Sequence, residues 1–223
     1  MDGNRRFAKE KGLESTKGHV FGADKVEDLL RWCWKLDIKI ITLYAFSTEN
    51  FNRSDEEVKT LMELLAEKIR KFHKEPAIKK NKVRIKVIGR LEYLSDDLRA
   101  EISKAEEATK DHDNFFLNIA ISYGGRAEIV DAVKKIASKI EDKELTVDQI
   151  DEDLLSKNLY TNGTPDPDLI IRTSGEERLS GFLLWQSAYS ELYFTEVFWP
   201  AFRMIDFWRA IRIYQQRERR YGK

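Results

Sequence analysis

A single cysteine, Cys33, is present, which excludes an intramolecular disulfide and any zinc site built from several thiolates. Only four prolines occur in 223 residues, and no repeat or low-complexity stretch is legible, so no long linker is expected. No charge of one sign is in excess: Lys plus Arg and Asp plus Glu number 39 each. A protein that grips nucleic acid usually carries a basic surplus, so nucleic acid is not an expected partner. No apolar run approaches the ~20 residues of a spanning helix, and no signal peptide is visible. A cytoplasmic location is expected, with room for peripheral contact with a membrane. The GxxxxGK[ST] phosphate loop, the GxGxxG fingerprint and the GxSxG elbow are all missing. His19, His73 and His112 lack metal-ligand spacing; His73 and His112 read as surface residues, whereas His19 lies close to a charged N-terminal segment.

What is present is a chain of the right size for one domain, with 42% hydrophobic residues to build its core. Cys33, between Trp32 and Trp34, reads as a core thiol. Strand-like and helix-like segments alternate. Residues 23–36 carry a helical stripe (Val26, Leu29, Leu30, Cys33, Leu36), and 38–46 read as a buried strand. Ser54 with Glu57 suggests a capping box opening a helix with Val58, Leu61, Met62, Leu65, Ile69 and Phe72 on one face. Residues 83–88 alternate as a strand, Ser95 opens a helix to about Thr109, and 115–121 read as a second buried strand. A helix after Gly125 carries Ile129, Val133, Ile136 and Ile140, and Thr146 with Gln149 suggests another capping box. Residues 168–171 and 192–194 are short strand candidates, and a last helix runs from about Asp206 into Arg217. The alternation implies an α/β fold, a single domain over 1–223 with a mostly parallel central sheet and helices on both faces. In such sheets ligands bind beyond the carboxyl ends of the strands, which singles out three loops and the N-terminus.

The N-terminal segment Asp2-Gly3-Asn4-Arg5-Arg6-Phe7 combines an acid, a glycine and two arginines before a helix. Gly3 allows close backbone approach, the helix start favours anions, and the arginines offer forked donors to phosphate oxygens. Asp2 repels a phosphate unless a cation such as Mg²⁺ bridges them. Ser47, Thr48, Glu49, Asn50, Phe51, Asn52 and Arg53 follow the first buried strand. The segment 172–180 (RTSGEERLS) follows a short strand and suits a diphosphate. Glu191 is a carboxylate at a strand edge that needs a partner, a metal being one candidate. Each segment alone also reads as an ordinary polar loop: solvated arginines at the first, a helix cap at the second, internal ion pairs at the third.

The segments MDGNRRFAK, TLYAFSTENFNR, LNIAISYGGR, DPDLIIRTSGEERLSGFLLWQSAYSELYFTEVFWP and RRERRYG, in this order over nearly the whole chain, resemble the cis-prenyltransferase family typified by undecaprenyl diphosphate synthase, in its archaeal form. The resemblance implies repeated condensation of isopentenyl diphosphate onto an allylic diphosphate with new cis double bonds, Mg²⁺ dependence and a homodimer. It implies that Asp2 is catalytic and binds Mg²⁺. It places Gly3, Asn4, Arg5 and Arg6 in an allylic diphosphate cradle with Phe7 and His19 beside it. Ser47, Thr48, Glu49, Phe51 and Arg53 match the loop around the reacting carbons, and Asn50 a catalytic residue that assists loss of the isopentenyl proton. Arg172, Arg178, Leu179 and Ser180 match the isopentenyl diphosphate site, and Glu191 a second metal carboxylate that acts with the partner subunit. Arg220-Tyr221-Gly222 resembles a motif that reaches across the dimer.

Four positions depart from the bacterial pattern. Arg5 stands where many members have glycine, Ser15 where another phosphate-binding arginine is frequent, and Glu177 and Gly181 where polar residues or histidine are common. The family's strand leading into Asp2 is absent, so Asp2 is expected to lack that support. The alternative reading is a non-catalytic subunit of a heteromeric prenyltransferase. Neither the starter, geranylgeranyl or farnesyl diphosphate, nor the product length follows from the residues alone.

Overall fold

The computed structural model describes residues 1–217; the Arg220-Tyr221-Gly222 motif lies outside the described residues. In chain order the elements are α1 (Asn4–Glu10), α2 (Ser15–Lys35), β1 (Ile40–Ser47), α3 (Asp55–Phe72), α4 (Pro76–Lys80), β2 (Val83–Ile88), α5 (Asp96–Thr109), β3 (Phe115–Tyr123), α6 (Gly125–Glu141), α7 (Glu152–Asn158), β4 (Leu169–Arg172), β5 (Glu191–Phe194) and α8 (Met204–Gln216). The class is α/β and every described strand pair is parallel, as the alternation implies. The strands form two sheets, one in the order β1-β3-β2 and one of β4 and β5. Two compact units contain them, the first of Met1–Lys39, Pro167–Arg178 and the chain from Tyr189, the second of Ile40–Asp166 and Leu179–Ala188. Among the described residues no helix is long and apolar enough to cross a membrane.

In the first unit α2 begins eight residues earlier than the stripe alone predicts. Gly18 and Gly22, which weaken a helix in isolation, lie inside it and buried. A Cβ at Gly22 would sit 2.2 Å from the Asn4 side-chain oxygen, so the missing side chain is what lets α1 lie against α2. Tertiary packing outweighs propensity here. The Trp199 indole also donates to the Gly22 carbonyl at 2.7 Å. Cys33 is buried as expected, and burial pushes its thiol up to about 12, so it is an inert core residue. Helix α8 starts at Met204, with Asp206 at its third position accepting from the Arg203 amide at 3.1 Å.

In the second unit, successive residues of the sheet serve opposite faces. Val87 and Ile121 join a cluster with Leu61, Met62, Ala66 and Ile69 of α3 and Leu98, Ile102 and Ala105 of α5. Ile88 and Ala120 join Tyr123 and Leu183 in another. The expected α3 stripe is found from Val58 to Ile69, whereas that of α6 holds only in part: Ile136 is buried and Ile129 and Ile140 half-buried. Val133 is 52% exposed, and the buried line is Gly125, Glu128, Ala132 and Ile136. The cause is Glu128: its carboxylate accepts the Tyr123 hydroxyl, the Gln186 amide at 3.1 Å and the Tyr160 backbone N–H at 2.9 Å. A satisfied carboxylate tolerates burial that an unpaired one does not.

Ser54 caps α3 through the Glu57 N–H at 3.4 Å, while the Glu57 carboxylate takes Arg53 at 2.9 Å. The Thr146–Gln149 box forms as expected. His73 and His112 are half-buried rather than on the open surface, each with Nδ1 2.9 Å from a backbone carbonyl, of Ile69 and Val83.

The β1–β3 register is interrupted. Tyr44 pairs with Ala120, Phe46 with Ile121 and Ser47 with Tyr123. Ala45 is therefore an extra residue on β1 and Ser122 an extra residue on β3, the latter at φ +51°. Such bulges re-aim side chains near strand ends. Ala45 packs against the α3–α5 cluster beside Phe46.

Candidate active site

The first unit gathers charge around Asp2. The Asp2 N–H donates to Thr173 Oγ1 at 2.9 Å, and the Asp2 carbonyl accepts from the Thr173 hydroxyl and the Trp199 N–H, each at 2.9 Å. The backbone of Asp2 is thus clamped by the 173 and 199 segments, and the expected lack of support is not found. Its carboxylate accepts the Gly3 N–H at 2.7 Å and Arg172 Nη2 at 3.0 Å, with Arg6 at 3.9 Å. Burial acts to raise this carboxyl. The Arg172 and Gly3 hydrogen bonds and the Arg172 charge outweigh it and hold the group below its ordinary value. Gly3 sits at φ +95°, and a Cβ there would meet the Phe198 ring at 2.6 Å, so no larger residue fits.

Arg6 donates to the buried Ser174 Oγ at 2.7 Å, pairs with Glu176 at 3.1 Å and lies over the Phe198 ring. Arg178 also pairs with Glu176, and Arg172 donates to the Arg178 carbonyl. The expected internal ion pairing of 172–180 exists as Arg178–Glu176; Glu176 also takes Arg6, and Arg172 takes Asp2. Helix α1 has only seven residues, so the arginines rather than its dipole supply most of the field for an anion. Phe7 packs edge-on against Phe21 of α2, Arg5 is exposed, His19 is half-buried on α2, and Ser15 opens that helix.

Glu191 does not join this cluster. It pairs with Leu169, whereas Arg172 pairs with Phe194. Three residues separate the two positions, about 10 Å along a strand. The partner Glu191 takes within the chain is Arg217. Among the described residues no three His, Cys, Asp or Glu side chains could hold a metal ion together. A single ionised carboxylate nevertheless fits Mg²⁺, which keeps several waters and binds through one or two carboxylates plus phosphate oxygens.

In the second unit, residues 48–52 form a 3₁₀ turn after β1. The Asn50 side-chain oxygen accepts the Ser47 N–H at 2.9 Å. This fixes the amide orientation and leaves its NH₂ as a donor. Phe51 packs on Phe46, Arg53 is held by Glu57, and Gly124 lies close enough to Thr48 that a Cβ would meet its hydroxyl at 2.7 Å. Glu49 is exposed. Ser180 is at φ +48° and its carbonyl lies 3.5 Å from the Tyr44 hydroxyl. Gly181 offers its carbonyl to the Gly125 N–H at 2.8 Å, and the Leu179 carbonyl accepts the Phe182 N–H at 3.0 Å. Glu177 is exposed, and nothing in the structure explains its departure from the bacterial pattern.

The family model described as "Putative undecaprenyl diphosphate synthase" matches residues 1–222. The chain belongs to the undecaprenyl diphosphate synthase family, and with it to the cis-prenyltransferases. It is 54% identical, over its whole length, to the geranylgeranyl-diphosphate-specific tritrans,polycis-undecaprenyl-diphosphate synthase of Methanopyrus kandleri, covering 82% of that protein. It is 51% identical to an isoprenyl transferase of Thermus thermophilus, covering 86% of it. The crystal structure of lavandulyl diphosphate synthase from Lavandula x intermedia, in complex with dimethylallyl diphosphate, superposes with a TM-score of 0.97 at 37% identity, over 100% of this chain and 95% of that one. For this cis-prenyltransferase, Thr173, Ser174 and Glu176 are residues that the sequence reading did not single out within the 172–180 segment. Their signal was present in the run of hydroxyls and the acid between two arginines. Glu128 had a signal too: it is the one acid on the otherwise small and apolar line of α6.

Proposed function

We propose that this cis-prenyltransferase condenses isopentenyl diphosphate repeatedly onto geranylgeranyl diphosphate, yielding a long-chain polyprenyl diphosphate suited to a glycosyl carrier lipid. The observation that carries the reading is the Asp2–Arg172 pair. It joins the segment proposed to cradle the allylic diphosphate (Gly3, Asn4, Arg5, Arg6, with Phe7 and His19) to the arginines proposed for isopentenyl diphosphate (Arg172, Arg178). Leu179 and Ser180 continue the second subsite. The choice of geranylgeranyl diphosphate is supported by the arginine-type first motif and by the name of the Methanopyrus relative.

Two diphosphates repel: one charge pair at 4 Å is worth roughly 4 kcal/mol at an effective dielectric near 20. Arg6, Arg172 and Arg178 offset that repulsion once they exchange Asp2 and Glu176 for phosphate oxygens. Mg²⁺, proposed to be held by Asp2, would neutralise charge on the departing diphosphate. Glu191 is proposed as a second carboxylate for the metal, acting with the partner subunit of a homodimer. Asn50 orients through its NH₂, since its oxygen is engaged by Ser47, and the isopentenyl proton passes to a diphosphate oxygen. Ser47, Thr48, Glu49, Phe51 and Arg53 shape the loop around the reacting carbons. The alternative of a non-catalytic subunit is disfavoured because Asp2, Asn50, Arg172, Arg178 and Glu191 are all present.

The test is incubation of the purified chain with labelled isopentenyl diphosphate, Mg²⁺ and either geranylgeranyl or farnesyl diphosphate, followed by chromatography. Long products formed faster from the geranylgeranyl starter are expected; no product from either starter would overturn the proposal.

The apolar cluster between α3, α5 and the sheet is proposed to receive the tail. Ala45→Leu, at the bulge, is expected to shorten the product by one or more isoprene units. An unchanged chain-length distribution would remove Ala45 from that role. Each added unit contributes roughly 3–4 kcal/mol of burial, at ~0.8 kcal/mol per CH₂, so a long product leaves slowly. A burst followed by a slower steady state is expected, with detergent raising only the slow phase. Linear, detergent-insensitive kinetics would place the slow step elsewhere.

A further inference from the structure

Helix α8 turns Phe207 and Ala210 inward, at 4% and 0% exposure, with the Phe207 ring 6.1 Å from that of Trp32. Its outward stripe reverses the usual pattern of a surface helix. Ile205 and Trp208 are each 45% exposed and Ile213 38%. They share that side with Arg209, Arg212, Gln215 and Gln216, all exposed. No acidic side chain of α8 is exposed. The helix's one acid, Asp206, is buried at 3% and engaged by Arg203 and Arg209. Arg203 and Arg217, both exposed, flank the two ends. In a chain with equal numbers of acids and bases, this is a local concentration of arginine around an exposed tryptophan. The outward face of α3, by contrast, mixes Glu56, Glu63 and Glu67 with Lys59 and Lys71.

We propose that the outward stripe of α8 docks on an anionic lipid surface, with Trp208, Ile205 and Ile213 entering the interface and Arg209 and Arg212 facing lipid phosphates. An arginine-rich face with an aromatic and aliphatic residues, and without exposed acids, matches such a surface in both charge and polarity. Self-pairing is the poorer match. A two-fold interface on this stripe brings the same patch of each copy together, setting arginines against arginines with no acid between them. The proposal rests on the long-chain product reading only for its purpose, delivery of an insoluble product where it is used. The docking itself is measured without substrate.

The experiment is co-sedimentation of the full chain with vesicles of equal phosphatidylglycerol and phosphatidylcholine, and with phosphatidylcholine alone, at about 0.1 M salt, where charge attraction still acts over roughly 10 Å. Binding to the anionic vesicles and little to the neutral ones is expected. Arg209→Gln with Arg212→Gln is expected to weaken binding about 30-fold, from two lost charges near the surface. Trp208→Ser with Ile205→Ser weakens it as well. Gln216→Glu, a mild change at an exposed helix position, is the second probe and is also expected to reduce binding. Circular dichroism and prenyl transfer in detergent stay unchanged for all three. Absence of wild-type binding to anionic vesicles, or variants that bind as tightly as wild type, would overturn the proposal. So would a dimer that becomes monomeric on Trp208→Ser with Ile205→Ser, since the stripe would then be a self-interface. Vesicle binding that persists in a chain without prenyl transfer would sink the functional reading and leave the docking intact.

Discussion

Turnover of the Asp2→Asn protein is expected to fall roughly a thousandfold, the scale of losing a centre that stabilises charge developing in the transition state. The substitution keeps the shape of the side chain and removes its charge. Arg172 loses the carboxylate that holds it at 3.0 Å, and the proposed metal loses the carboxylate proposed to hold it beside the arginines. The backbone clamp is untouched, because Thr173 and Trp199 bind the main-chain N–H and carbonyl of Asp2. Folding, followed by circular dichroism, is therefore expected to survive while kcat collapses. A loss of less than tenfold would remove Asp2 from the metal site. The pair also leaves a mark on stability. The Asp2 pKa lies below its ordinary value in the folded chain. Its contribution is present above the unfolded carboxylate's pKa and disappears as pH falls through the depressed one. The asparagine variant is expected to lack that part of the acid limb in a melting-against-pH series.

Gly89→Ala is expected to lower the melting temperature by about 10 °C. Gly89 follows β2 at φ +132°, and an added Cβ would lie 2.0 Å from the carbonyl oxygen of Ile121. That oxygen belongs to the central strand, so neither partner can yield without disturbing the sheet. Backbone strain of about 1–3 kcal/mol and a similar cost of overpacking add to roughly 2–6 kcal/mol, at about 2–4 °C per kcal/mol for a chain of this length. The residue that follows suffers too. Arg90 donates to the Ser122 carbonyl and grips Asp131 of α6 through two hydrogen bonds of 2.8 Å, a bidentate pair that requires the present course of the loop. A shift below 3 °C would show that the turn relaxes around the methyl group.

Periodicity was a good guide where one face of an element meets a purely apolar neighbour. The stripe on α3 and the alternation in β2 are cases, and both lie where 3.6- and 2-residue periods place them. It failed where burial is decided by specific partners. On α6 the buried line runs through Glu128, because Tyr123, Gln186 and Tyr160 satisfy its carboxylate, and these lie 5, 58 and 32 residues away in sequence. The early start of α2 was hidden for a related reason: two glycines that disfavour an isolated helix are tolerated once α1 occupies the space they leave. For the candidate site, the residue types were legible from the ordered motifs, but the pairings were not. That Arg172 takes Asp2, that Glu176 holds Arg6 and Arg178 together, and that Arg217 takes Glu191 depend on contacts between distant segments, and no local pattern encodes them.

The paired bulges at Ala45 and Ser122 tie the lengths of two strands to each other. Because each strand carries one surplus residue, their pairing is back in step at Ser47 and Tyr123, just before the 48–52 turn and Gly124. Deleting either residue alone would leave the other strand one unit too long and displace the loop that holds Asn50 by a residue. Deleting both would restore the phase. The two positions therefore behave as a lock with two keys: length changes in β1 and β3 are tolerated jointly or not at all, so a shortened β1 should be rescued by a second-site deletion 77 residues downstream, at Ser122, rather than by any change nearby.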